Sequence, residues 1–172
     1  MSEIRVSGAK VENKAVRTFL KIDGMKGPSS YLGEEGSIEL LGWDHAFNQP
    51  TQLARSAGNT ASAGKAKHAP MTVLKQIDST TTELLKKCWS GKQIDTMTIS
   101  SYNADVRYLY VELKKVVVKD QRLSDSPSQI VPLEELVLDY GAVKYSYTPV
   151  DATGAGTGEL PVAMDLETGN IS

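Results

Sequence analysis

Cysteine is almost missing from this sequence: Cys88 stands alone among 172 residues. One thiol excludes an intramolecular disulfide framework and any Cys-rich zinc site. Histidine is scarce too, with only His45 and His68, which leaves little material for His-based acid–base chemistry. Neither charge sign dominates, with 19 Lys+Arg against 21 Asp+Glu and a net charge of -2. Phosphate binding needs a cationic surplus, so no nucleic-acid partner is expected. No apolar run approaches the roughly 20 residues that cross a bilayer. The start, Met1 to Lys10, lacks the apolar core of a secretory signal. A soluble chain without membrane insertion is expected, one that would leave a cell only through a machine that ignores signal peptides.

Motifs for chemistry fail on inspection. Gly91-Lys92 is followed by Gln93, and Lys86 stands where a P-loop needs its first glycine. Gly154-Ala-Gly-Thr-Gly158 lacks the third glycine of a dinucleotide fingerprint, and strand-like residues follow it. Glu34-Glu35 and Glu134-Glu135 are adjacent pairs whose side chains would diverge in strands, so neither is a ready carboxylate dyad. His45 falls within a strand pattern and reads as structural. Cys88 lies in an apolar stripe and reads as a buried, inert thiol. No catalytic residue, cofactor or metal site is expected, and the chain is not read as an enzyme.

What is present is mostly strand pattern, in a length that suits one domain. Val16 to Asp23 alternates, with Val16, Thr18, Leu20 and Ile22 on one face. Ser37 to Phe47 places Leu41, Trp43, His45 and Phe47 together, and Gly42 inside it signals a bulge or a close backbone approach. Met71 to Ile77, Asp95 to Tyr102 and Val106 to Lys119 follow. Glu134 to Tyr147 is the longest candidate, with a phase slip at Gly141-Ala142. Val162 to Glu167 is a last short one. A single helix is predicted at about Thr80–Ser90. Thr80 and Glu83 form a capping box, Leu84, Leu85, Cys88 and Trp89 make its apolar stripe, and Gly91 stops it.

Two connections stand out. Asn48 to Pro70 is rich in Ala, Gly, Ser, Thr and Gln, and it carries Arg55, Lys65 and Lys67 but no acid. A loop of this length is uncommon in a compact domain unless it has a function. Val150 to Pro161 reads as a mobile hairpin connection. Residues 1–16 have no clean period and are taken as an N-terminal extension, partly disordered; residues 17–172 form the domain.

Particular residues, taken in order, resemble one family. Phe19-Leu-Lys-Ile-Asp-Gly24, with Gly27 and Ser29 or Ser30 beyond, resembles the opening strand of the hemolysin-coregulated protein (Hcp) family, although Pro28 departs from its Gly-Glu-Ser. Ile38-Glu-Leu-Leu-Gly-Trp-Asp-His45 resembles that family's acidic-aliphatic strand. Ile77-Asp-Ser-Thr-Thr-Thr-Glu-Leu-Leu-Lys-Lys-Cys88, with Ser90-Gly-Lys92, resembles its capped helix. Tyr108 to Val118 and Val143 to Pro149 resemble two later strands. The resemblance implies a mainly β fold, a two-sheet β-barrel-like single domain with one short α-helix packed alongside. It implies a bacterial type VI secretion tube subunit: a homo-hexameric ring, stacked ring on ring, that carries effectors, meets sheath and spike proteins, and passes from the cytoplasm to the exterior. On that footing Gln52, Arg55, Lys65, Lys67 and His68 are the candidate inter-subunit loop residues. Asp44 is the candidate lumen-facing residue, with Trp43 packing inward. The alternative reading is a non-catalytic β-barrel that binds a small ligand in an apolar interior.

Overall fold

The computed structural model describes residues 16–52, 62–63, 65–128 and 130–172. Residues 1–15 of the expected N-terminal extension, and Arg55, lie outside the described residues. The elements in order are β1 (Val16–Ile22), β2 (Ile38–Asp44), β3 (Phe47–Asn48), β4 (Thr51–Gln52), β5 (Ser62–Ala63), β6 (Lys67–His68), β7 (Met71–Gln76), α1 (Thr81–Ser90), β8 (Ile94–Asn103), β9 (Val106–Ser124), β10 (Leu133–Asp139), β11 (Ala142–Tyr147) and β12 (Leu160–Asp165). Six strands pair in the order β10-β7-β2-β1-β8-β9, and β9 closes on β10. The result is a closed antiparallel barrel, and closure removes the exposed edges that would otherwise recruit other strands.

Strand β9 is long enough to serve two sheets. Its second half pairs with β10, while its first half lies between β8 and β11. Strand β12 then adds to β11 and extends the sheet beyond the barrel as a flap. Glu134 to Tyr147, expected as one strand, is two, β10 and β11, parted at Tyr140-Gly141 where the phase slip was read. Strand β9 slips at the same level. Lys115 takes a left-handed backbone, φ 55°, so Val111 and Leu113 point inward before it and Val116 and Val118 after it. The Gly141 amide donates to the Lys114 carbonyl at 2.9 Å and pins the paired irregularity. Such bulges bend a strand and raise its twist, which is what lets β9 leave the barrel for the flap.

Side chains fill the barrel. Leu20, Ile22, Met71, Val73, Met97 and Leu136 are each at most 3% exposed, as expected for small barrels with inward residues at every second position. Strand β1 also buries Phe19 on its other face, against Tyr31 at 5.0 Å and Tyr102 at 6.0 Å. Tyr31 belongs to the loop between β1 and β2, which folds back on the start of β2. The Gly27 amide donates to the Gly36 carbonyl at 2.7 Å, and a Cβ on Gly27 would sit 2.4 Å from the Ser37 carbonyl oxygen. Only glycine allows that approach. Val16, expected inside with Leu20, is instead 50% exposed at the strand's open end.

Strand β2 carries the bulge that Gly42 predicted: its register against β7 shifts between Leu40 and Gly42. Ile38 and Leu40 are buried, Leu41 is turned out at 51% exposure, and Trp43 returns to the core. The expected shared face of Leu41, Trp43, His45 and Phe47 therefore breaks, because an extra residue reverses the alternation.

Helix α1 packs on β9 and ends as predicted, with Gly91 in the left-handed region at φ 62°. Its start differs from prediction. Thr80 is the N-cap residue, but its side chain makes no cap bond; its hydroxyl and amide donate to Asp78 Oδ1 at 2.6 and 2.7 Å. Glu83 is exposed in the first turn. The Thr80 backbone is already near-helical, φ -87° and ψ -15°, rather than in the extended conformation that turns an N-cap oxygen toward the amides of the first turn. Of the expected stripe, Leu84 is fully buried, while Leu85 and Cys88 are half-buried; Cys88, expected as a buried thiol, packs on the core with part of its side chain uncovered. Trp89 is 80% exposed. The stripe is narrower than expected: Leu84 reaches the core while Trp89 faces away from it.

Beneath the helix's first turn lies a buried ionic cluster. Lys75 Nζ lies 2.6 Å from Glu134 and 3.2 Å from Asp78. Glu134 also accepts from the Thr81 hydroxyl at 2.5 Å and from Gln121 at 2.8 Å. The side chains of Lys75 and Glu134 are both 0% exposed. Among the described residues no helix is long and apolar enough to cross a membrane.

Candidate functional site: the hairpin arm and its root

The long connection between β2 and β7 is an arm with paired strands. Phe47↔His68 and Asn48↔Lys67 pair in one ladder, and Thr51↔Ala63 and Gln52↔Ser62 in another. The segment expected as a long functional loop carries strand pairing of its own. Nine residues between Gln52 and Ser62, Arg55 among them, lie outside the described residues.

Both histidines of the chain meet at the arm's root. His45 Nδ1 is 2.5 Å from Tyr145 Oη, and His45 Nε2 is 2.6 Å from Tyr140 Oη and 3.1 Å from the Ala69 carbonyl. His68 Nδ1 is 3.1 Å from the same Tyr140 Oη, and His68 Nε2 is 3.0 Å from Met164 Sδ. With both rings neutral, one proton assignment gives each contact a donor and an acceptor, the single His45 Nε2–H being shared between two acceptors. The Ala69 carbonyl can only accept, so His45 carries its proton on Nε2 and receives Tyr145 Oη–H on Nδ1. Tyr140 then accepts from His45 and donates its own proton to His68 Nδ1. His68 Nε2–H is left to face the thioether of Met164. Phe47 closes the cluster, 4.4 Å from the His45 ring and 5.0 Å from the His68 ring.

Burial sets the electrostatics. It pushes both tyrosine hydroxyls, Tyr140 and Tyr145, well above their usual range. It pulls His45 below its ordinary value, assisted by the nearby His68 and opposed by the Ala69 carbonyl and Asp44. Burial thus favours a neutral His45 ring and intact Tyr140 and Tyr145 phenols. The cluster ties the arm (Phe47, His68, Ala69) to β11 (Tyr145), to the turn before it (Tyr140) and to the flap (Met164).

The sequence-predicted residues are distributed unevenly around it. His68 belongs to the cluster. Lys65 reaches the Leu166 carbonyl at 3.5 Å, so the arm also leans on the turn after β12. Lys67 is exposed on β6. Gln52 takes part in the outer ladder through its backbone. Asp44 is exposed at the end of β2, opposite Thr72, with Trp43 inward as expected. The strand pattern groups Phe47 with His45, and the two rings are 4.4 Å apart. Sequence reasoning missed Tyr140, Tyr145 and Met164, which lie up to 100 positions from their partners; the phase slip beside Tyr140 was their advance sign.

Exposed apolar side chains gather in two places. On the flap, Tyr147↔Leu160 and Tyr145↔Val162 are cross-strand partners, and Ile171 bridges back to Met164; Tyr147, Leu160, Val162 and Ile171 are 49%, 62%, 52% and 72% exposed. Leu123, near the end of β9, and Ile130, in the connection to β10, are 44% and 100% exposed.

A closed antiparallel barrel whose interior is filled by side chains, with a paired hairpin arm and an added flap, defines the class: a small single-domain β-barrel. Comparison with known proteins agrees. The sequence profile of the family described as "Type VI secretion system effector, Hcp" matches residues 19–147, and the chain belongs to that family. It is 29% identical to Protein hcp1 of Pseudomonas aeruginosa over 148 residues, 84% of this chain and 90% of that one. The fold is shared with Hcp1 from Salmonella typhimurium, at a TM-score of 0.75 and 24% identity over 91% of this chain and 99% of that one. It is also shared with a type six secretion system protein, at a TM-score of 0.85 and 21% identity over 92% and 100% of the two chains.

Proposed function

We propose that this protein is the structural subunit of a type VI secretion inner tube, forming hexameric rings that stack, carry effectors, meet sheath and spike proteins and leave the cell with the tube. The observation that carries this reading is the arm. It is a separately paired hairpin inserted between two strands of a closed barrel, and a sixfold ring needs two different complementary surfaces on each subunit. The arm offers one, and the apolar flap face offers another of different shape and chemistry. The arm residues Gln52, Arg55, Lys65, Lys67 and His68 are assigned to contacts with a neighbouring subunit or ring, and Asp44 to the channel wall.

The reading is non-catalytic. Lys75, Asp78 and Glu134 are held to one another, and both histidines are held in the root cluster. The small-ligand alternative loses ground because side chains fill the barrel interior. Removing Ser56 to Gly64 tests the reading by native mass spectrometry. The wild type is expected as a hexamer with ring stacks, and the shortened arm as a folded subunit that loses them. A wild type that stays monomeric at high concentration would refute it. Asp44→Arg in the same preparation is expected to reduce effector co-purification while leaving ring mass unchanged.

A further inference from the structure

We infer that the network of His45, Tyr140, His68 and Tyr145 is a proton-operated latch: neutral imidazoles clamp the arm's root to the barrel and flap, and acidification opens it and weakens arm-dependent assembly. The first half concerns the chain alone. The second rests on the tube reading.

The argument is one of donor and acceptor counting. In the neutral network each hydroxyl proton has an imidazole nitrogen to receive it: Tyr145 at His45 Nδ1, and Tyr140 at His68 Nδ1. A proton added to His68 Nδ1 makes two donors, His68 Nδ1–H and His45 Nε2–H, face one Tyr140 oxygen, and the Tyr140 proton is left with no acceptor. A proton added to His45 Nδ1 does the same to Tyr145. Each protonation thus orphans a partly buried hydroxyl, and an unpaired polar group costs more than the bond it replaces contributes. Repulsion opposes charging both rings, since they share Tyr140 as a partner.

The surrounding charges do not rescue the protonated form. His45 is faced by Tyr140, Tyr145 and His68, with Asp44 favouring its charge from the same segment. Asp139 lies beside Tyr140. On the arm side the flanking charges are Lys65 and Lys67, which disfavour a further cation. Asp44 is exposed, so water screens its help. The lowered affinity of His45 for a proton points the same way. The folded state prefers neutral His45, so its contribution is complete above the unfolded value near 6.5 and is lost as pH falls through the lower folded value.

The latch is local and reversible by design of its position. The arm's inner ladder holds two residue pairs, with the Ala69 amide donating to the Ala46 carbonyl beside them, so the root is lightly paired next to the barrel strands. The barrel strands carry far more pairing and have no histidine, so they should not respond in the same window.

The test uses the full chain at pH 8 to 5. NMR follows the ring protons of His45 and His68, and hydrogen exchange, corrected for intrinsic pH dependence, follows the amides of Phe47–Asn48, Lys67–His68 and Ala69. Sedimentation follows ring and stack mass. Root protection is expected to fall at least tenfold as the imidazoles titrate, while protection between β1 and β8 holds, and stacked mass to fall with the same midpoint. Tyr140→Phe and His68→Asn are expected to flatten the pH response. Root protection that stays parallel to the β1–β8 ladder through the titration overturns the latch, and needs no variant to fold. Root release with pH-independent stacks overturns its coupling to assembly. A wild type without rings at any pH, with root release intact, refutes the tube reading and leaves the latch standing.

Discussion

The molecule contains two polar clusters with opposite designs. The one under α1 is charged and sealed, with Lys75 and Glu134 both 0% exposed and satisfied by Asp78, Thr81 and Gln121. The one at the arm's root is neutral and partly open, with Phe47 52% exposed beside it. A sealed ion pair tolerates no movement, because separating the charges leaves each stranded in a poor dielectric. A neutral network at half-burial costs little to open. The first design suits a permanent joint between the helix and the barrel, the second a joint that is remade.

The largest effect should come from breaking the sealed cluster. Lys75→Ala leaves Glu134 buried without its cation and is expected to cost about 3–5 kcal/mol in urea unfolding. Lys75→Met combined with Glu134→Leu should recover most of that loss, since a matched apolar pair needs no partner. A single variant as stable as the wild type would mean that water reaches the cluster. At the root, Tyr145→Phe deletes one donor to His45 and should cost about 1 kcal/mol, seen mainly as faster exchange in the arm and only weakly in global unfolding. An equal loss in both clusters would erase the contrast drawn between them. The smallest effect belongs to Trp89. At 80% exposure, Trp89→Ser should shift subunit stability by no more than about 0.5 kcal/mol. A large shift would show that α1 is held by more than Leu84 and the ion cluster.

Much of the barrel was legible in the sequence. Alternation located the principal barrel strands, and Gly91 ended the helix where glycine's left-handed backbone is cheapest. The bulge at Gly42 and the break beside Tyr140 were legible because a phase slip leaves a mark in local pattern. The outward turn of Leu41 was not, since its position alone does not say which residue of the slip is the extra one. The capping box failed for a related reason: Thr80 has the right type, but Asp78 takes its hydroxyl, a choice settled by local geometry. The arm read as a loop because its ladders are two pairs each, too short to leave a period.

The root cluster marks the boundary of sequence reasoning. His45 was read as structural, and the structure gives it three partners at positions 69, 140 and 145. Nothing in local pattern connects residues so far apart.

By itself the sequence determined the class of the fold, the helix and its stop, the near absence of thiol and imidazole chemistry, and the ordered segments that resemble one family. These are properties of neighbouring residues or of composition, and they need no knowledge of distant contacts. Only the tertiary structure decided that β9 serves two sheets, that Lys75 and Glu134 share a sealed pocket, and that the chain's two histidines meet on one tyrosine. Those outcomes depend on closing a barrel from antiparallel strands, which brings residues together by register rather than by sequence distance.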